Sequence, residues 1–357
     1  MADIFSLIET TNAYKTIVCD KKNNKFSHAY LVLSADSEYL GEYLKIFAKV
    51  IACKSDPFCD NCRTCKLIDQ KSSYDIIWYP KIGETVTVDD IEDLIEKSFL
   101  KPVESNIKIF IIEKGDSMTP QAQNKLLKTL EEPPKNTYFL VGAKNEFSLL
   151  PTVKSRIKRL EIPTFSGEKL YNAFYSELQD EQRLKRAISC GDGTAGAVKR
   201  FYLDENLENI ENFCIDLINN MQSSVQVLDY SVRLDELLDD IVKSYKDSTK
   251  KISVDAKKSA ESTKRLYLSY ATEEFLSVIE SIFRDMLCYF YESTNQIFDM
   301  DRIEKVKKAK GYTAGGLVYA IDRISEARKR KFYNTVGTML NEWLLFSILE
   351  GKHKWQK

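Results

Sequence analysis

Apolar positions along this chain fall into two regimes that meet near Pro163. Before it, short apolar runs alternate with stretches in which apolar residues recur every three to four positions. Ala29–Leu33, Asp75–Trp78, Ile107–Ile112 and Tyr138–Val141 are the runs, and their near-continuous apolar character predicts strands covered on both faces. Ile4–Cys19, Tyr39–Ala52 and Val88–Phe99 have helical spacing, the last with Asp89, Asp90 and Glu92 in its first turn, where the helix dipole favours acids. A further helix begins at Thr119, a good cap, with Pro120 at the first helical position. Ala122, Leu126, Leu127 and Leu130 share one face of it, and Pro133-Pro134 stops it. Alternating strands and helices predict a mostly parallel α/β sheet.

After Pro163 only the helical period remains. Gly167–Arg200 predicts a small helical unit broken at Gly191-Asp192-Gly193, and the pattern from Phe201 on is helical. Thr272–Tyr291, with Thr272 as cap, and Asn334–Leu349 are the strongest amphipathic stretches. Lys243–Arg265 is poor in apolar residues and rich in Lys and Ser, as a solvated helix face or a connector would be. The chain shows no internal repeat.

The 357 residues suffice for two or three domains. Lys and Arg number 52 against 53 Asp and Glu, a net charge of −1, so bulk charge does not argue for nucleic acid; a contact there would need a local patch. The basic runs Lys305–Lys310 and Arg328–Lys331 are the candidates, though a solvated helix face is the preferred reading of both. No apolar run is long enough to span a bilayer and no signal segment opens the chain, so no membrane association and a cytoplasmic location are expected.

Four of the eight cysteines, Cys53, Cys59, Cys62 and Cys65, lie within 13 residues. Two-residue gaps make the tight knuckles that tetrahedral four-thiolate Zn²⁺ wants. An iron–sulfur cluster competes, but the fourth cysteine lies upstream and no Cys-Pro closes the run, which favours zinc. With no His or Asp to retain a water, the metal is expected to be structural. The turn after the first strand is where an NTPase places Gly-x4-Gly-Lys-Ser/Thr. Here it holds Ala35, Asp36, Glu38, Gly41 and Glu42, with no lysine for phosphates and with carboxylates that repel them. The end of the Ile107–Ile112 strand, where an acid pair for Mg²⁺ and water belongs, carries Glu113 and Lys114. No ATP is therefore expected in this site.

Ser27-His28-Ala29-Tyr30, the cysteine insertion, Asn124–Pro134 with its Leu-Leu-Lys-Thr-Leu-Glu-Glu-Pro-Pro run, and Ser155-Arg156 before a strand together resemble the clamp-loader branch of the AAA+ proteins. The resemblance covers about the first 165 residues; the remainder fits by length and helical character. It implies an AAA+ α/β domain at 1–165, a parallel sheet with flanking helices and a zinc-module insertion at 53–65. It further implies a small helical lid at 166–204 and an all-α C-terminal collar at 205–357. It also implies partners: ATPase subunits of gamma/tau type and a delta subunit in a hetero-pentamer, and through that complex the sliding clamp and primer–template DNA. Ser155 and Arg156 match the family's Ser-Arg-Cys element, with Ile157 in the cysteine's place. The resemblance makes Arg156 a trans arginine aimed at a neighbour's ATP, a role that suits an always-charged, phosphate-matching guanidinium. On the residues alone Arg156 would be a surface arginine beside Lys154, Lys158 and Arg159. No arginine stands in Thr194–Ala197 to sense nucleotide in cis. The expectation is a non-catalytic clamp-loader subunit with no activity of its own. An ATP-hydrolysing subunit of the same complex and a zinc-dependent nucleic-acid-binding protein that shares the fold are the alternatives.

Overall fold

Mostly apolar segments form β1 (Ala29–Ser34), β2 (Ile76–Tyr79), β3 (Lys108–Ile112) and β4 (Thr137–Ala143), and the alternating Lys-Arg-Leu-Glu-Ile segment forms β5 (Lys158–Ile162). They make one parallel sheet in the order β2-β3-β4-β1-β5. This computed structural model describes residues 4–354 except 84, 250–259, 298, 307–308, 310 and 333–336. The middle of Lys243–Arg265, part of Lys305–Lys310 and the start of Asn334–Leu349 thus lie outside the described residues. The chain divides into two compact units, Met1–Gln179 with Asp192–Ala197, and Asp180–Gly191 with Val198–Lys357.

In the first unit β1 and β3 are buried along their whole length, which is why neither shows the alternation of a half-exposed strand. The helices are α1 (Ile4–Glu9), α2 (Asn12–Lys22), α3 (Leu40–Ala52), α4 (Arg63–Asp69), α5 (Val88–Ser98), α6 (Pro120–Glu131), α7 (Pro151–Lys154) and α8 (Gly167–Phe174). Ile91, Leu94, Ala122, Leu126, Leu130 and Val153 from α5, α6 and α7 share a core with Leu31, Phe110, Phe139 and Val141 of the sheet. Helix α3 packs over β4, and α2 against β5. Ile4–Cys19 is not the single helix its spacing predicts. Thr11 takes an extended backbone, accepts the Tyr14 N–H at 3.2 Å and starts α2 afresh.

The second unit is helical: α9 (Glu181–Cys190), most of α10 (Ala195–Leu203), then α11 (Leu207–Asn220), α12 (Ser224–Thr249), α13 (Ala260–Phe290), α14 (Met300–Val306), α15 (Ala314–Phe332) and α16 (Gly337–Lys354). The break between α9 and α10 is where Asp192 and Gly193 adopt positive φ, 47° and 75°. Thr272 is not a helix cap. It lies inside α13 with its hydroxyl donating to the Leu268 carbonyl at 2.7 Å, a bond that lets Thr sit mid-helix. No helix among the described residues is long and apolar enough to cross a membrane.

Candidate functional site

Because β1 lies between β4 and β5 while the chain leaves it for β2 at the far edge, its carboxyl end opens at the switch point of the sheet, the place where open α/β sheets bind ligands. The Ala35–Tyr39 turn occupies that position. Asp36 there is buried, its carboxylate directed inward. Oδ1 accepts the Tyr39 N–H at 3.1 Å, at the mouth of α3. Oδ2 accepts the Tyr43 hydroxyl and the Gly196 N–H, each at 3.0 Å. Gly196 is in the first turn of α10, so one carboxylate serves unsatisfied N–H groups at the starts of two helices, where dipoles favour negative charge. Burial and the Asp36 carboxylate both push the Tyr43 phenol upward, keeping it a neutral donor.

Two close approaches complete this packing. A Cβ on Gly196 would lie 2.5 Å from Asp36 Oδ1 and from Glu38 Cβ, so the helix reaches the turn only as glycine. A Cβ on Gly41 would collide with Glu113 Oε1. Glu113, just past β3, thus lays its carboxylate on the first turn of α3 and accepts Lys71 Nζ at 2.9 Å. Lys114 follows it and Asp116 accepts the Lys144 N–H at 3.2 Å. Of the other turn carboxylates, Glu42 pairs with Lys45 at 2.8 Å. Asp36 and Glu113 both contact the start of α3.

Helix α6 joins this end of the sheet to Arg156. Gln123, 1% exposed, donates to the carbonyls of Met118 at 3.1 Å and Ser148 at 2.8 Å and accepts the Leu150 N–H at 2.7 Å. It pins the segment that leads into α7. Its place beside Ala122 on the buried face of α6 is the one signal of it in the sequence. Ser155 ends α7, and Arg156 follows with its side chain 32% exposed. Its guanidinium is held in cis: it pairs with Glu131 at the end of α6, and it donates to the Thr152 carbonyl at 2.8 Å and Ser155 Oγ at 3.2 Å.

On the far side of α3 the four cysteines Cys53, Cys59, Cys62 and Cys65 converge, with their sulfurs all within 4.8 Å of one another. All four are free thiols. The separations Cys53–Cys59 3.7 Å, Cys53–Cys62 3.9 Å and Cys62–Cys65 3.5 Å bracket the edge of about 3.8 Å that a tetrahedron with 2.3 Å metal–sulfur bonds requires. The donor set fits a tetrahedral thiophilic metal, and this group could hold one. N–H groups of Asn61 and Cys62 hold the Cys59 thiol down at about 6. Burial and the neighbouring sulfurs push the Cys65 thiol up, so it is the ligand that most needs a cation to ionise.

The basic run Arg328–Lys331 is largely matched by acids of its own unit. Arg328 meets Glu273 and Glu280, Lys331 meets Glu273 at 3.0 Å, and Arg330 meets Glu326.

A five-stranded parallel sheet of this order, with an acid-filled turn at its switch point and a four-cysteine insertion after α3, makes an α/β domain with flanking helices. Residues 9–166 match the family described as "DNA polymerase III, delta subunit". The chain is 32% identical to the DNA polymerase III subunit delta′ of Bacillus subtilis, over 53% of this chain and 58% of that one. It is 33% identical to the delta′ subunit of Buchnera aphidicola, over 42% and 48%, and 30% identical to the tau subunit of Bacillus subtilis, over 47% and 30%. Residues 9–166 are thus similar to DNA polymerase III subunits, delta-prime subunits among them. The aligned stretches span less than two thirds of each relative's own length.

Proposed function

We propose that this chain is the delta-prime-type, non-catalytic subunit of a bacterial replicative clamp loader, an accessory part of DNA polymerase III in the cytoplasm. In this reading it joins ATPase subunits of gamma/tau type and a delta subunit in a hetero-pentamer that opens the sliding clamp and sets it on primed DNA. The observation that carries the reading is Asp36. Its carboxylate takes the N–H groups of Tyr39 and Gly196, donors of the kind a phosphate would use. Glu113 against Gly41 adds a second negative group beside α3. Ala35, Asp36, Glu38, Gly41 and Glu42, with Glu113 and Lys114, then form a turn without nucleotide.

The working part offered to the complex is Ser155-Arg156, pinned through Gln123 and α6. Arg156 leaves Glu131 for the phosphates of ATP on a neighbouring subunit and stabilises charge as the phosphoryl group transfers. Cys53, Cys59, Cys62 and Cys65 hold a structural Zn²⁺, which cross-links the insertion to the end of α3. The three-part division into α/β domain 1–165, lid 166–204 and collar 205–357 belongs to the same proposal.

In the reconstituted complex, Arg156→Ala is expected to lower ATPase by about 10³-fold or more at the site it serves, with assembly unchanged by size-exclusion chromatography. Unchanged complex ATPase would end the trans-arginine role. The similarity to tau supports one second reading, an ATP-hydrolysing subunit. Tight binding of labelled ATP by the purified chain would favour it.

A further inference from the structure

The four cysteines are spaced unevenly, and the unevenness poses a folding problem. Cys59, Cys62 and Cys65 are separated by two residues each and organise themselves: Asn61 and Cys62 N–H groups reach the Cys59 sulfur, and the Cys65 N–H reaches Cys62 Sγ at 3.4 Å. Cys53 stands apart, at the end of α3, with a five-residue loop before Cys59. The Ser55 and Cys59 N–H groups reach the Cys53 sulfur, yet the rest of a loop of that length would lose entropy each time a metal bound.

A second tie comes from another helix. Lys21, at the end of α2, places Nζ within hydrogen-bond distance of four backbone carbonyls: Val50 at 2.8 Å, Cys53 at 2.5 Å, Ser55 at 2.8 Å and Pro57 at 2.8 Å. Val50 offers one of the carbonyls left over in the last turn of α3, and the other three line the Cys53–Cys59 loop. Three N–H donors shared among four oxygens fix where that loop runs. The charge is also of the right sign, since Zn²⁺ with four thiolates carries a net −2 and an ammonium bound to a ligand's own carbonyl offsets part of it.

We infer that Lys21 is a positioning residue of the metal centre, holding Cys53 and its loop in place for the metal and countering the charge of the four-thiolate group. The inference rests on the metal reading of the cysteines. Outer groups that orient metal ligands are worth about 10–100-fold in affinity.

The test uses the full chain, loaded with zinc and challenged with a chromogenic chelator. Wild type should hold about one zinc per chain, and its cobalt-substituted form should show the absorption of tetrahedral thiolate coordination. Lys21→Met should release zinc about 10–100-fold faster and alter the cobalt spectrum. Leu170→Ala, a cavity in buried α8 of the same unit, should lower thermal stability yet release zinc at the wild-type rate, which separates positioning from general loosening. Lys21→Gln, run alongside in case the methionine variant does not fold, should fall between. Zinc release at the wild-type rate in either Lys21 variant overturns the inference. Wild-type protein that takes up no zinc or cobalt instead overturns the metal reading beneath it.

Discussion

Asp75 shows how much a single buried carboxylate can organise. It stands at the foot of β2, 1% exposed, and accepts the N–H groups of Val103, Glu104 and Ser105, each at 2.7 Å, and the Ser105 hydroxyl at 3.0 Å. Burial alone would raise its carboxyl; these four donors outweigh burial and hold it below the usual carboxylate range. Asp75→Asn is expected to cost about 1–3 kcal/mol at neutral pH, measured as the shift in denaturant midpoint. A depressed carboxyl stabilises above its unfolded value, about 3.9, and loses that contribution as pH falls through the lower folded value. The gap between wild type and variant should therefore close in acid, and a gap that stays constant to pH 2 would exclude the donors as its cause. None of this was legible beforehand, because Asp75 and its donors lie 28–30 positions apart in the chain. Asp36 was legible only in part: its sign and its place in the turn follow from sequence, its inward orientation does not. Lys21 was hidden for the same reason as Asp75, its partner carbonyls standing 29–36 positions away.

Elements were legible where one local rule governed them. β1 and β3 announced themselves because both of their faces are covered, and the α6 start because Thr119 and Pro120 act on their own neighbours. Ile4–Cys19 misled because its apolar spacing runs through Thr11, whose hydroxyl ends one helix and caps the next. Thr272 misled because a hydroxyl that can cap can also bond four residues back inside a helix. Contacts between helices were beyond reach, and Lys352 of α16 is an example. It is fully buried and donates to the carbonyls of Ile218 and Met221, at the end of α11, at 3.2 and 3.0 Å. Burial pulls its ammonium down to about 8. Between there and about 10.4 the unfolded chain binds the proton and the folded one does not, so stability rises with pH across that window. Wild type is expected to gain on the order of 1–3 kcal/mol relative to Lys352→Met from pH 7.5 to 10, measured by urea denaturation. A parallel pH course for the two chains would show that Lys352 stays charged in the fold.

At the scale of the whole chain, two compact units imply two cooperative transitions on heating. The cysteine cluster belongs to the first unit alone. Stripping metal with a strong chelator is therefore expected to lower the transition of that unit, by several degrees or more, and to leave the other in place. Differential scanning calorimetry reads both at once; a second transition that moved equally would mean that the units unfold as one.

Asp36 has a thermodynamic consequence for the first unit. A protein that must bind a soluble ligand to hold a conformation is stabilised by mass action, in proportion to the logarithm of the ligand's concentration over its dissociation constant. A carboxylate carried on the same chain is a ligand whose effective concentration is set by the length of its tether and nothing else. On the proposed function, the contact between Asp36 and Gly196 is expected to be indifferent to the nucleotide pool. The melting temperature of the purified chain should not move when ATP or ADP is added, and a rise that grew with nucleotide concentration would show that the tether can be displaced.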